Sequence, residues 1–399
     1  MSKGDPKRKF AFVVPTLGGL SAQSEDVVQL LLFAAARLER ESKAGTDEPF
    51  AATIISGDRD TSGWKHLSSL FSEEARRHIS VEDLEEPATP NLSIASHKPA
   101  YELYEFLKRR SFDEVHCLDR HGLAYYPTQA KRLGLRFLAT NFVVHVVGGT
   151  IYRNEVEDKL LDDVGALMDD LLERGSLERA DVICVHDRKA WEWYSGKIEV
   201  RGDARIHDLA WAEAMRGSAS PTPAGINARS AIVYYGPLGP GGGLPLFCDA
   251  MDRALPGMGR PVEIFFVGSP HAMGGMDAVS YIRLRSEKWG VPVTIKREFS
   301  IADEINFVFE CGGVVVSNTV RQEGLRQRLI AGSGLEVLHV RQPHASEQNR
   351  RNRICPPNPG RIAQALVEML SVETVNRPQL SLRLADLWRA GRPLGTAPG

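Results

Sequence analysis

The sequence predicts an α/β protein of two doubly wound domains facing across a cleft. Three observations carry this expectation. The chain has 399 residues, well past the roughly 250–300 at which a single core stops growing. Short apolar runs alternate throughout with longer amphipathic ones. These short runs are too apolar to have a wet face, which is the mark of a parallel sheet covered by helices on both sides. The rhythm breaks once, at MRGSASPTPAGINAR (215–229), and then restarts. That Pro-, Ser- and Gly-rich stretch reads as a linker. The domains are expected at 1–214 and 230–374, with a last amphipathic piece and tail over 375–399.

In the first domain, strands are expected over 10–14, 51–56, 114–118, 137–147 and 181–186. Helical patterns lie between them, such as 25–41, where Val27, Val28, Leu30, Leu31, Leu32 and Leu38 make an apolar face. In the second domain, strands are expected over 231–235, 262–267, 291–296, 313–317 and 336–340. Helices are expected over 244–255, 276–288, 302–310, 326–330 and 359–370. A final amphipathic stretch, 381–389, follows Arg377-Pro378. In sheets of this kind ligands bind at the carboxyl ends of the strands.

Composition excludes several classes. A net charge of −2 supplies no basic field to hold nucleic acid or an anionic membrane. No apolar run approaches the roughly 20 residues needed to span a bilayer. Five cysteines (Cys117, Cys184, Cys248, Cys311 and Cys355) lie far apart without C-x-x-C spacing. That argues against a disulfide framework and a zinc site, and for reduced, buried thiols in a cytoplasmic protein.

The candidate chemistry sits where strands end. IVYYGPLGPGGGLPLF (232–247) is an apolar strand, a glycine loop and an apolar run. The dinucleotide fingerprint G-x-G-x-x-G fails at its sixth position, Leu244, and no acidic ribose ligand ends the next strand, which runs into Gly268-Ser269-Pro270. No P-loop motif is present. Strand, glycines and helix still offer backbone N–H groups and a helix N-terminus to an anion, although a plain βα turn reads the same. Gly18-Gly19, after the first strand, permits close backbone approach to a ligand or is likewise a simple turn. Asp119-Arg120-His121-Gly122 either hydrogen-bonds hydroxyl groups or is a solvated turn. His145, in FVVHVVGG, is either a satisfied core histidine or a general base. The pair His186-Asp187 has no serine or cysteine nucleophile pattern beside it. Asp162-Asp163 and Asp169-Asp170 fall in a helical run and read as solvated faces.

FDEVHCLDRHGLAYYPTQAKRLGLRFLATNFVV (112–144) and LLERGSLERADVICVHDRKAWEWY (171–194) resemble retaining GT-B glycosyltransferases of the glycogen synthase-like family 4. Gly18-Gly19 fits that family's acceptor-side glycine loop. IVYYGPLGPGGGLPLFCDAM, FFVGSPHAMGGMDAVSYI and ICPPNPGRIAQAL are similar to its successive strand–loop–helix units, and the final helix to the one that crosses back onto the first domain. The resemblance implies the GT-B fold, two Rossmann-like domains. It implies a nucleotide-diphospho-sugar as co-substrate, no other cofactor and no obligatory metal. The departures are specific. Pro237 and Gly242 stand where the family carries an arginine and a lysine on the donor diphosphate. Arg321 and Leu329 stand where it carries two glutamates; counting from Glu323 instead, the second becomes Ala331. The family's histidine after the fourth strand falls at Val147, two residues from His145.

The expected function is a divergent glycosyltransferase acting on a small soluble acceptor. The donor is expected at Gly236, Gly241, Gly242, Gly243, Gly268, Ser269, Gln322, Glu323, Gly324, Leu325 and Arg326. The acceptor is expected at Gly18, Gly19, Arg120, His121, Gly148 and Gly149. Arg321 or Arg326 would stabilise the leaving phosphate, and His145 or Asp119 would orient or deprotonate the acceptor. Two alternatives stand beside it. One is a non-catalytic pseudo-glycosyltransferase, a binding module or the protein partner of an active enzyme. The other is a coupling enzyme using a nitrogen or sulfur nucleophile on an activated sugar.

Overall fold

The computed structural model describes residues 8–17, 25–43, 50–57, 60–84, 97–157, 159–161, 163–208, 231–297, 310–318, 335–340 and 352–371, with positions 304, 307, 308, 325 and 330. The chain divides into two compact units, Met1–Glu155 with Lys159–Ala210, and Val156–Asp158 with Trp211–Gly399. The expected linker and terminal helix lie outside the described residues.

The first unit runs β1 (Arg8–Val14), α1 (Glu25–Lys43), β2 (Phe50–Ser56), α2 (Trp64–Leu67), α3 (Glu73–Arg76), β3 (Ile79–Asp83), α4 (His97–Lys108), β4 (Glu114–Leu118), α5 (Tyr125–Arg132), β5 (Asn141–Val146), α6 (Thr150–Val156), α7 (Val164–Arg179), β6 (Val182–Val185), α8 (Arg188–Ser195) and β7 (Arg205–Asp208). Its seven strands lie in the order β3-β2-β1-β4-β5-β6-β7, every pair parallel. The central strands are buried on both faces: Phe12, Val13, Ile54 and Val144 have no exposed surface, and neither do Leu30 and Leu31 of α1 or Leu103 of α4. Asp187 starts α8 by accepting from the N–H groups of Lys189 and Ala190, the usual role of a short acidic side chain at that position.

The second unit repeats the plan. It runs β8 (Ala231–Tyr235), α9 (Leu244–Ala254), β9 (Glu263–Val267), a two-stranded antiparallel ribbon of β10 (Ala272–Met273) and β11 (Met276–Asp277), α10 (Ala278–Ser286), β12 (Val293–Lys296), β13 (Val314–Asn318), β14 (Val337–Val340), β15 (Asn352–Cys355) and α11 (Pro359–Ser371). Its sheet order is β12-β9-β8-β13-β14-β15, again parallel throughout. Tyr234, Phe247, Phe266, Leu338 and Leu366 pack into one core that α9 and α11 cover. In both sheets the order reverses beside the first strand, so the carboxyl ends of β1/β4 and of β8/β13 are the switch points where such sheets take ligands.

Some expected boundaries shift. The strand expected over 137–147 begins only at Asn141, because Phe137 takes a left-handed turn at φ 59° and Leu133, Leu135 and Leu138 are exposed. The helix expected from residue 276 begins at Ala278, where Asp277 accepts from the Ser280 N–H. The expected helices over 302–310 and 326–330 lie mostly outside the described residues. All five cysteines are buried and none is in a disulfide. No helix among the described residues is long and apolar enough to cross a membrane.

Candidate functional site

In the second unit, the loop after β8 is folded back on itself. Gly236 donates to Val267 O and Leu238 to Ser269 O, and His271 returns a bond to Leu238 O, at 3.1, 2.8 and 2.9 Å. These contacts zip the loop to the end of β9, where Gly268 lies so close to Gly236 O that a Cβ would strike it. Beneath the loop, the buried Tyr234 hydroxyl donates to Pro237 O and Gly242 O at 2.9 and 2.6 Å. Gly243 caps α9 at φ 75°, a left-handed conformation that favours glycine, and a Cβ there would strike Asn318 of β13. The amides of Gly239, Gly243 and Leu244 are taken by carbonyls of the loop itself. Those of Gly241 and Gly242 have no acceptor among the described residues. Two uncommitted N–H groups, on buried glycines, therefore lie in the turn that leads into an 11-residue helix, beside the helix end that favours anions.

The loop also shows why no lysine stands at 242. A Cβ there would collide with the Pro237 carbonyl, and would lie 2.7 Å from the Tyr234 hydroxyl. Of the other expected donor residues, Ser269 is exposed and Leu325 is buried. Arg321, Gln322, Glu323, Gly324 and Arg326 lie outside the described residues. Sequence reading missed Asn318, Tyr234, His271 and Glu157. Glu157 carries no local signal, because it follows Glu155 and precedes Asp158 in what reads as a solvated run.

In the first unit, the ends of β4 and β5 bring Asp119, Arg120, His121, Gly148 and Gly149 together; Gly18 and Gly19 lie outside the described residues. Asp119 has no exposed surface. Its carboxylate accepts from Val147 and Gly148 N–H at 3.2 and 3.0 Å. Burial first, and then the neighbouring Glu173 charge, push its pKa up to about 7. Glu173, which sequence reading missed, accepts from the His121 and Thr150 amides and from the Thr150 hydroxyl at 3.1, 2.7 and 2.8 Å. Burial raises its pKa too. Gly149 N–H donates to the Tyr194 hydroxyl at 3.1 Å. Arg120 and Arg153 clamp Asp26 from two sides, at 2.7 and 2.6 Å. Burial alone would raise the Asp26 carboxyl, but the two guanidiniums outweigh it and hold it below its ordinary value. Hydrogen-bond donors at this strand edge are thus largely spoken for by the protein's own carboxylates.

His145 belongs to a buried chain of imidazoles. Its Nε2 is 3.0 Å from His116 Nδ1, and its Nδ1 is 2.7 Å from His186 Nε2. His116 Nε2 lies 3.3 Å from Glu114, which Arg37 also contacts. Despite burial, His116 and Arg37 hold Glu114 at about 2, so it is ionised and accepts. A neutral His116 that donates from Nε2 to Glu114 leaves its Nδ1 to accept from His145 Nε2. Burial lowers the pKa of both His116 and His145, and Phe33 meets His116 at a tilt and His145 and His186 edge-on. Among the described residues no cluster of three or more His, Cys, Asp or Glu side chains is arranged to hold a metal ion. Two surface cavities of about 420 and 370 Å³ share Glu178 and Arg179, and no expected donor or acceptor residue lines either.

No protein-family model matches the sequence, and no curated protein matches it. Solved structures do. Sucrose-phosphate synthase from Thermosynechococcus elongatus is 13% identical, with TM-score 0.56 over 92% of this chain and 90% of its own. A putative UDP-N-acetylglucosamine 2-epimerase from Listeria monocytogenes is 12% identical, with TM-score 0.52 over 96% and 91%. HepE of Anabaena, solved in complex with UDP, is 11% identical, with TM-score 0.51 over 91% and 90%. The chain has the GT-B fold. In that GT-B frame the glycine loop follows β8 at the second unit's switch point, and Asp119–Gly122 follow β4 at the first's, with Gly148-Gly149 one strand further along.

Proposed function

We propose that the protein is a divergent GT-B glycosyltransferase of the retaining, family 4 type, taking a nucleotide-diphospho-sugar on its second unit and a small soluble acceptor on its first. The observation that carries this reading is the pair of uncommitted amides, Gly241 and Gly242, at the N-terminus of α9. Its GT-B neighbour HepE, solved with UDP, supports the same ligand class. Gly236, Gly243, Gly268 and Ser269 shape the donor side, with Gln322, Glu323, Gly324 and Leu325 beyond β13. Arg321 or Arg326 neutralises the diphosphate as the bond from the sugar C1 to the phosphate oxygen breaks and the acceptor oxygen bonds to C1. The acceptor proton passes to the departing phosphate oxygen in that step, and no metal is required. Gly18, Gly19, Arg120, His121, Gly148 and Gly149 frame the acceptor. Asp119 and His145 have no exposed surface, so their part is to hold the Gly148-Gly149 turn and the strand ends in place while Arg120 and His121 meet the acceptor.

A thermal-shift panel of nucleoside diphosphates and their sugars tests the reading, followed by a transfer and hydrolysis assay on each hit. Stabilisation by at least one nucleotide sugar with turnover is expected. Arg321→Ala should then weaken nucleoside-diphosphate binding by about 1.5–3 kcal/mol, the range for a hydrogen bond to a charged group. Calorimetry showing unchanged affinity removes Arg321 from the site. A second reading, the non-catalytic pseudo-glycosyltransferase, is favoured by the loop itself, where Pro237 and the crowded Gly242 replace two cations that a diphosphate would contact. Binding without turnover on any acceptor would decide for it.

A further inference from the structure

The loop that presents the two amides already faces a carboxylate. Val156 and Glu157 group with the second unit, and the Val156 Cγ1 lies 2.9 Å from where a Cβ on Gly241 would stand. Glu157 Oε1 lies 2.5 Å from that same point, and Oε2 lies 3.1 Å from the corresponding point on Gly239. The side chain is only 8% exposed. Its Oε2 is buried without a hydrogen-bond partner; His271 Nδ1 is 3.2 Å away, at ion-pair distance but off the line of a hydrogen bond. A buried carboxylate oxygen left without a hydrogen bond is costly. The carboxylate lies against the Gly239 and Gly241 backbone, in the turn that leads into α9, whose positive end favours an anion.

We propose that Glu157 stands guard beside the anion site, and that a nucleoside diphosphate binds the second unit by displacing its carboxylate. The inference rests on the donor-binding reading given above. A phosphate brought to the Gly241 and Gly242 amides would lie beside this carboxylate, and like charges packed together in a poorly solvated loop repel. The resting protein is therefore self-inhibited toward its donor, and any change that withdraws Glu157 raises donor affinity.

Calorimetry on the full chain, wild type against Glu157→Gln, tests this with UDP, inorganic pyrophosphate and uridine as probes. Glutamine keeps the shape and removes the charge. UDP and pyrophosphate should bind the variant about tenfold or more tightly than wild type, while uridine, which lacks phosphate, is unaffected. Equal or weaker UDP binding by a folded Glu157→Gln protein overturns the proposal and leaves the donor-binding reading standing. Absence of UDP and pyrophosphate binding to both proteins overturns the two together. Hydrogen exchange on the wild-type protein gives a second readout independent of any variant. Saturation with UDP should speed exchange in the peptide ending at Glu157, and unchanged exchange there also overturns the proposal.

Discussion

Burial decides what single carboxylates and imidazoles can do at the edge of the first sheet. Asp119 reads in sequence as a turn residue able to touch a hydroxyl group, yet it is enclosed, with its carboxyl held near 7 against an ordinary 3.8. A group raised in this way contributes stability that is complete below its unfolded value and is lost as pH rises through its folded one. Asp119→Asn removes that titration and keeps a hydrogen-bonding side chain. Its urea midpoint should gain on wild type as pH rises from about 4 to about 7, by up to a few kcal/mol. Equal slopes for the two proteins would show that Asp119 is ionised at no cost. The histidines run the other way. His116 and His145 are held below 6.5 by burial, so their contribution is full above that pH and is lost as pH falls below it. His145→Gln should therefore lose less stability than wild type on acidification from about pH 7 to 5, read by the same denaturation.

Among elements, β8, its loop and α9 act as one piece, and the hydroxyl of Tyr234 pins the loop from inside the core. Tyr234→Phe leaves two carbonyls short of a donor and should cost about 1–3 kcal/mol in a denaturation experiment. Gly242→Ala should cost at least as much, because its Cβ collides with the Pro237 backbone. A Gly242→Lys substitution meant to restore the family's cation would fail for the same reason. This crowding was illegible in the sequence, where three consecutive glycines suggest looseness. The central strands were legible because each is buried on two faces and reads as an unbroken apolar run, as at 231–235. Of the edge strands, β12 was anticipated over 291–296, but β3, β7 and β15 were not. Each pairs on one side only, and ISVED, RIHD and NRIC carry the polar residues that an edge tolerates.

At the scale of the whole chain, two sheets with the same strand order account for the rhythm, its single break and its restart. The order of strand–loop–helix units carries the GT-B fold without charged side chains at Pro237 and Gly242, since backbone geometry and electrostatics are specified by different residues. The buried histidine chain and the Glu157 carboxylate escaped sequence reading because their partners are distant in sequence: His116, His145 and His186 meet only when β4, β5 and β6 align. The central claim is that the second unit keeps an anion cradle at Gly241-Gly242. Amide spectra of the full chain labelled with ¹⁵N-glycine, recorded as UDP is added, test it most directly. The account predicts saturable shifts of the Gly241 and Gly242 resonances, with those of Gly148 and Gly149, whose amides are already bonded within the first unit, left in place. Shifts confined to the first unit's glycines, or none at saturating UDP, would contradict it.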